Sequence, residues 1–214
     1  VTESPINVVL VDDHAIVRTG FRLLLENSTD IRVIAELDSG EAINQKAVEL
    51  RPDVIVMDLS MPGMGGLEAI RRIKAKSAHI KMLVFTMHDN IAFVEQALEA
   101  GASGYITKNN APKVLLEAIR KIAAGGTYID EKLADKLSMK ESLGSGGPLG
   151  GLSRREFQIF CKFAEGKNAN EIADDLSLSV KTVANYQTQI KEKLGITSTA
   201  ELVKLAIAHG IIQM

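Results

Sequence analysis

The chain has 214 residues, 46% hydrophobic and 24% charged, with a net charge of −2. That length suits one or two domains, and the composition excludes wholesale disorder, collagen-like repeats and mucin-like stalks. Apolar runs such as Val54-Ile55-Val56-Met57 fall far short of the ~20 residues of a membrane span, and the single cysteine, Cys161, leaves a core role and a reducing cytoplasm as the expected setting. No segment combines a basic start, an apolar middle and a small-residue cleavage site. Residues 151–214 carry a net +1 and the first 150 a net −3, too small an asymmetry to point to a nucleic acid.

Along the first 125 residues two patterns alternate. Ile6–Asp12, Ile31–Asp38, Asp53–Leu59, Lys81–Met87 and Gly104–Lys108 are short and rich in Val and Ile, as strands of a buried parallel sheet must be. Between them, Ala15–Asn27, Gly40–Leu50, Leu67–Lys76, Ile91–Ala100 and Pro112–Ala124 have helical spacing. In the first of these, Ile16, Phe21, Leu24 and Leu25 are expected on the inner side. Ser39 is expected to cap the second helix, Pro112 to open the fifth, and Gly101 and Gly125 to end the fourth and fifth. Five strands interleaved with five helices predict a flavodoxin-like α/β domain with parallel strand order 2-1-3-4-5.

The pattern changes after Ile129. Glu131–Ser142 predicts a polar helix, and Leu143–Gly151 has the composition of a flexible linker. The remainder predicts an all-α domain of four short helices, Arg154–Glu165, Ala169–Leu176, Val180–Lys193 and Thr199–Ala208. The expected division is residues 1–126, a linker at 127–150, and residues 151–214.

Chemistry in an open α/β sheet sits beyond the carboxyl ends of the strands. The predicted strands end in Asp12 and Asp13, in Asp58, in Thr86 and in Lys108. Taken singly, Asp13 suits a helix cap, Asp58 a loop, Thr86 a strand end and Lys108 a solvated surface. Taken together they form one pocket. Three carboxylates repel one another unless a cation intervenes, and hard oxygen donors suit Mg²⁺. With an ammonium and a hydroxyl added, the set suits a phosphoryl group carried on a carboxylate.

The strings Val8-Val9-Leu10-Val11-Asp12-Asp13-His14, Val56-Met57-Asp58-Leu59-Ser60-Met61-Pro62-Gly63-Met64-Gly65-Gly66, Phe85-Thr86 and Gly104-Tyr105-Ile106-Thr107-Lys108 resemble the receiver domain of bacterial two-component response regulators. The resemblance implies that Asp58 accepts phosphate from a histidine kinase, that Asp12, Asp13, Asp58 and the Ser60 carbonyl hold Mg²⁺, and that Lys108 assists. It also implies a switch formed by Thr86 and Tyr105, with the Tyr105 ring turning inward on phosphorylation. A ring packed at a domain edge is the other reading of Tyr105. Slow autodephosphorylation is expected, with Ser60 and His88 tuning its rate; His88 is open as a general base or an exposed loop residue. The chain departs from many receivers in delaying the proline after Lys108 to Pro112.

The second signal lies between Asn170 and Leu194. Two short helices flank the turn Ser177-Leu178-Ser179, with Ser179 placed to cap the second. Val183, Ile190 and Leu194 form a buried stripe, opposite Lys181, Ala184, Asn185, Gln187, Thr188 and Lys191. This is a helix-turn-helix pattern, in which the N-terminal part of the second helix is expected at base edges in the major groove and Lys181, Thr182, Tyr186 and Gln189 can also reach phosphates. A helical interaction domain with a solvated face is the alternative on spacing alone. Leu152-Ser153-x-Arg155-Glu156, Asn170-Glu171-Ile172-Ala173, Lys181-Thr182-Val183 and Lys193-Leu194-Gly195-Ile196 are similar to the LuxR-type DNA-binding domain, in which Glu156 braces the fold.

Together the halves resemble the NarL/FixJ family, which implies a transcription regulator that binds double-stranded DNA as a phosphorylation-favoured homodimer. Many relatives carry His at Tyr186 and a basic residue near Ala184 or Thr188. Two other readings are a DNA binder whose receiver acts without phosphate, and a metal-dependent phosphohydrolase. Against the latter, residues 59–61 are Leu, Ser and Met, which supply no second acid beside Asp58.

Overall fold

The computed structural model describes residues 4–110, 113–142 and 148–212. The first part of the chain reads β1 (Ile6–Val11), α1 (Ala15–Glu26), β2 (Ile31–Leu37), α2 (Gly40–Leu50), β3 (Val54–Met57), α3 (Gly66–Lys76), β4 (Lys81–Thr86), α4 (Ile91–Ala100), β5 (Gly104–Thr107), α5 (Lys113–Ala123) and β6 (Tyr128–Ile129). After α6 (Glu131–Ser142) come α7 (Arg154–Ala164), α8 (Ala169–Leu176), α9 (Val180–Leu194) and α10 (Thr199–Ala208). The chain divides into two compact units, Val1–Asp89 with Val94–Ala134, and Asn90–Phe93 with Asp135–Met214.

The first unit is built on a parallel sheet ordered β2-β1-β3-β4-β5-β6. The expected order holds, and a sixth strand extends it: Tyr128 and Ile129 pair with Gly104 and Tyr105. Two residues are too few to register as a period, which is why the sequence pattern puts this edge at the start of the linker. Strand β3 is buried at all four positions because helices cover both faces of the sheet. Alternate residues Val8, Leu10, Val54, Val56, Leu83 and Phe85 join Leu25, Leu115, Ile119 and Ile122 in one apolar core. Their neighbours Val9, Ile55, Met82 and Val84, equally buried, face the other side. Each such side chain contributes roughly 1.5–3 kcal/mol on burial.

Helix α1 corrects one expectation. Leu25 is buried, and Phe21 and Leu24 pack on the core, but Ile16 is 90% exposed. At 100° per residue, Ile16 lies about half a turn away from Leu25. Ser39 occupies the N-cap position of α2 without a side-chain capping bond; its hydroxyl donates to Asp38 Oδ1 instead. Nor does Asp13 cap α1, whose N-cap is His14. Gly101 and Gly125 follow α4 and α5 with φ of +104° and +90°, the left-handed conformation that ends a helix without Cβ strain. The expected Pro112 helix start and residues 143–147 of the expected linker lie outside the described residues.

In the second unit the four helices fall where the sequence places them. Capping boxes open α7 through Ser153 and Glu156, α8 through Asn168 and Glu171, and α10 through Ser198 and Glu201. Ser179 caps α9 by accepting from the Thr182 amide. Ser177, with φ of +52°, ends α8 and makes the turn into α9 tight. Phe160, Ile172, Leu176, Val183, Ile190 and Leu202 are buried in this unit. Among the described residues, no helix is long and apolar enough to cross a membrane.

Candidate functional site

The register of the sheet assembles the first site. Val11 pairs with Met57 and Met57 with Val84, while Thr86 pairs with Thr107. Asp12, Asp58 and Lys108 are each the next residue after a paired position, so they leave the sheet at one edge, where Thr86 also ends its strand.

Lys108 Nζ lies 2.6 Å from both Asp12 Oδ2 and Asp58 Oδ2, and all three side chains are at most 9% exposed. Burial by itself would lower the Lys108 pKa. The Asp58 charge and the hydrogen bonds to both carboxylates outweigh it, and the net shift is upward. The second oxygens are also held: Asp12 Oδ1 accepts from the His14 amide at 2.8 Å, and Asp58 Oδ1 from the Ser60 amide at 3.2 Å.

Three polar atoms around this edge are buried without hydrogen-bond partners among the described residues, Thr86 Oγ1, Asp13 Oδ1 and Arg18 Nε. His14 Nδ1 lies 3.0 Å from Asp13 Oδ1, close enough for charge attraction when protonated but misaligned for a hydrogen bond. A buried unsatisfied group costs about 1–3 kcal/mol. Carboxylate oxygens of Asp12, Asp13 and Asp58 and a ring nitrogen of His14 lie within 4.8 Å of one another. Three hard oxygen donors, one of them otherwise unpaired, are compatible with a divalent cation.

Three features were not assigned from sequence. Arg18 Nη1 donates to the Asp12 carbonyl, its Nε lies 3.6 Å from Glu36 Oε2, and it lines a cavity with Asp12, Phe21, Asp58 and Phe85. Its wide separation from Asp58 in the chain left no local signal. Gly66 is the second: a Cβ there would stand 2.3 Å from the Asp58 carbonyl oxygen and 2.8 Å from Leu59 Cα. Only glycine lets α3 approach the phosphoacceptor candidate so closely. The third is a bridge between Ser60 Oγ and His88 Nε2 at 2.8 Å, which corrects the picture of a free loop histidine. His88 is half-buried; desolvation lowers its pKa, with the Asp58 and Asp89 charges opposing.

Tyr105 is fully buried, and its hydroxyl donates to the His88 carbonyl at 2.9 Å. Burial pushes its pKa well above the ordinary phenol value. Cys161 is buried, and desolvation drives its thiol far up, which leaves it inert.

In the second unit, the candidate contact residues share α9. Lys181, Ala184, Asn185, Thr188 and Gln189 are exposed, and Thr182, Tyr186 and Lys191 half-buried. Gln187 is turned aside, its amide 3.4 Å from Thr199 Oγ1. Glu156, 3% exposed, accepts from the Ser153 amide and from Lys193 Nζ at 2.6 and 2.7 Å, tying α7 to the end of α9.

Comparison with known proteins matches residues 8–120 to the response regulator receiver domain and residues 151–206 to the bacterial regulatory proteins of the luxR family. The chain is 40% identical over 210 residues to the transcriptional activator protein ExaE of Pseudomonas putida, covering 97% of this chain and 98% of that protein. It is 39% identical over 208 residues to the response regulator UvrY of Escherichia coli K12, covering 96% and 95%. Among solved structures, RcsB from Salmonella enterica serovar Typhimurium, bound to promoter rprA in the presence of phosphomimetic BeF3⁻, is 29% identical. It superposes with a TM-score of 0.72 over 94% of this chain and 98% of that one.

Proposed function

The chain belongs to the NarL/FixJ family of response regulators, a receiver domain joined to a LuxR-type DNA-binding domain, and from that premise we propose that phosphorylation of Asp58 by a histidine kinase controls its dimerisation and its binding to operator DNA. The observation that carries the reading is the Lys108–Asp58 contact of 2.6 Å at an edge where Thr86 Oγ1 and Asp13 Oδ1 have no hydrogen-bond partner among the described residues.

The Asp58 carboxylate attacks the phosphorus of a phosphohistidine. An O–P bond forms as the P–N bond breaks, and the imidazole nitrogen leaves with the electron pair. Lys108 holds its charge where the phosphoryl oxygens arrive, and the Thr86 hydroxyl donates to one of them. Asp12, Asp13, Asp58 and the Ser60 carbonyl would hold Mg²⁺, which when bound supplies positive charge against the phosphoryl oxygens. Movement of Thr86 toward the phosphoryl group, against a Tyr105 ring that is buried before any phosphoryl group arrives, then passes the change to the surface. Slow hydrolysis of the acyl phosphate resets the switch. In the second domain, residues Lys181 to Lys191 of α9 enter the major groove, and a dimer sets two such helices about one helical turn apart on DNA. The first domain runs through β6 at Tyr128–Ile129 and the second over residues 151–214, with a linker between. A cytoplasmic location suits a protein that must meet both a kinase and DNA.

The test is intact mass after incubation with acetyl phosphate, with and without Mg²⁺, beside Asp58→Ala. One phosphoryl adduct that requires both Mg²⁺ and Asp58 is expected. No adduct in a folded, promptly assayed sample would overturn the phospho-switch and favour a DNA binder whose receiver acts without phosphate.

A further inference from the structure

Helix α9 contains no arginine and carries its lysines only toward its two ends, at 181, 191 and 193, whereas arginine or lysine is the commonest reader of guanine in the major groove. Resting on the DNA-binding reading above, we propose that α9 recognises half-sites whose core is A·T: Asn185 and Gln189 pair with adenine edges, while Ala184, Val180 and the Thr188 methyl pack on thymine methyl groups.

Positions 181, 184, 185 and 188 fall on one stripe of the helix, and Gln189 stands one turn beyond Asn185. All five are exposed, as is Val180 at 45%. The threonine hydroxyls and the other carboxamide of this helix are already engaged. Thr182 Oγ1 shares a hydrogen bond with Ser179 Oγ at 2.7 Å, and Gln187 meets Thr199. Thr188 Oγ1 donates to the Ala184 carbonyl at 3.2 Å, which ties down its one donor and leaves the methyl facing outward as the apolar group. Asn185 and Gln189 make no side-chain hydrogen bond among the described residues.

A free carboxamide sets an N–H donor beside a carbonyl acceptor. Adenine presents the matching N6 donor and N7 acceptor, whereas guanine presents two acceptors there. Thymine carries the only methyl group in the groove, and three apolar groups stand ready for it. Lys181 at the start of the helix and Lys191 near its end supply charge for phosphates. Lys193 is held by Glu156.

The experiment is selection from random duplexes with the full chain, Mg²⁺ and acetyl phosphate, followed by affinities for single-pair changes. A·T-cored half-sites are expected, and replacing a contacted A·T pair by G·C weakens binding about 5- to 100-fold. Asn185→Ala flattens the preference at one pair. Thr188→Val keeps discrimination of thymine from cytosine, whereas Thr188→Ser, which keeps the hydroxyl, loses it. Circular dichroism confirms that these surface variants remain folded. Selected sites with G·C cores, or unchanged preference in Asn185→Ala, would overturn this inference while leaving DNA binding intact. Failure to bind any duplex at low salt would overturn both.

Discussion

Lys108 Nζ and Asp58 Oδ2 lie 2.6 Å apart, although 50 residues separate them in the chain. The ammonium stands between two buried carboxylates, so its loss leaves Asp12 and Asp58 facing each other uncompensated. Lys108→Ala is expected to lower stability in metal-free buffer by about 3 kcal/mol, and added Mg²⁺ restores part of it by binding the folded state. Urea unfolding with and without Mg²⁺ measures both. A variant as stable as the parent in metal-free buffer would contradict the electrostatic account.

Thr86 Oγ1 is buried and unpartnered among the described residues, so Thr86→Ala removes an unsatisfied group at little cost in stability, within about 1 kcal/mol. The variant should still take up phosphate from acetyl phosphate but lose the gain in dimerisation and DNA affinity that follows. Thr86→Ser should keep it. Sedimentation and DNA titration before and after phosphorylation provide the comparison; an undiminished response in Thr86→Ala would exclude the residue from the switch.

Gly66 and Gly20 predict opposite signs. The Cβ of Gly66→Ala meets the backbone of Asp58 and Leu59, and overpacking there costs about 1–3 kcal/mol while slowing phosphorylation at least severalfold. A Cβ at Gly20, inside α1, meets nothing within 4 Å, so Gly20→Ala should stabilise by about 0.5–1 kcal/mol. Denaturation midpoints and the time course of the mass adduct separate the two.

The Ser60–His88 bridge joins the loops that follow β3 and β4, beside Asp58. Ser60→Ala or His88→Ala should open that side to water and speed acyl-phosphate hydrolysis by an effect of about 1 kcal/mol, roughly fivefold. Decay of the phosphorylated mass over time reads this directly, and equal or slower decay in both variants would refute it.

Glu156 makes the stability of the second domain depend on pH. Burial would raise its pKa, but the bonds from Lys193 and Ser153 outweigh burial and hold it below the usual carboxylate range. A depressed folded value means the carboxylate stabilises above its unfolded pKa, about 4.3, and that contribution is lost as pH falls through the folded value. Glu156→Gln should cost about 2 kcal/mol at pH 7, and the difference should narrow below about pH 4. An unchanging gap across that range would show that charge is not the cause.

Much of the fold was legible because its signals are local. The bounds of α8 and α10 match their sequence periods, since neighbours three and four residues apart decide which side of a helix is apolar. Asp12, Asp58 and Lys108 stood out because each closes an apolar run. Ile16 misled because an apolar residue near a stripe counts toward it until the angle is measured, and β6 escaped because two residues carry no period.

By itself, the sequence determined the alternation of strands and helices, the strand order, the candidate pocket residues and the two-domain plan, all of which follow from short-range pattern and the handedness of crossovers. Only the tertiary structure decided the contacts: Lys108 with Asp12 across 96 residues, Ser60 with His88 across 28, Arg18 behind the Asp12 carbonyl, and the missing space above Gly66. Those depend on sheet register and helix approach, which are fixed when the whole core packs at once and leave no trace in any local stretch of the chain.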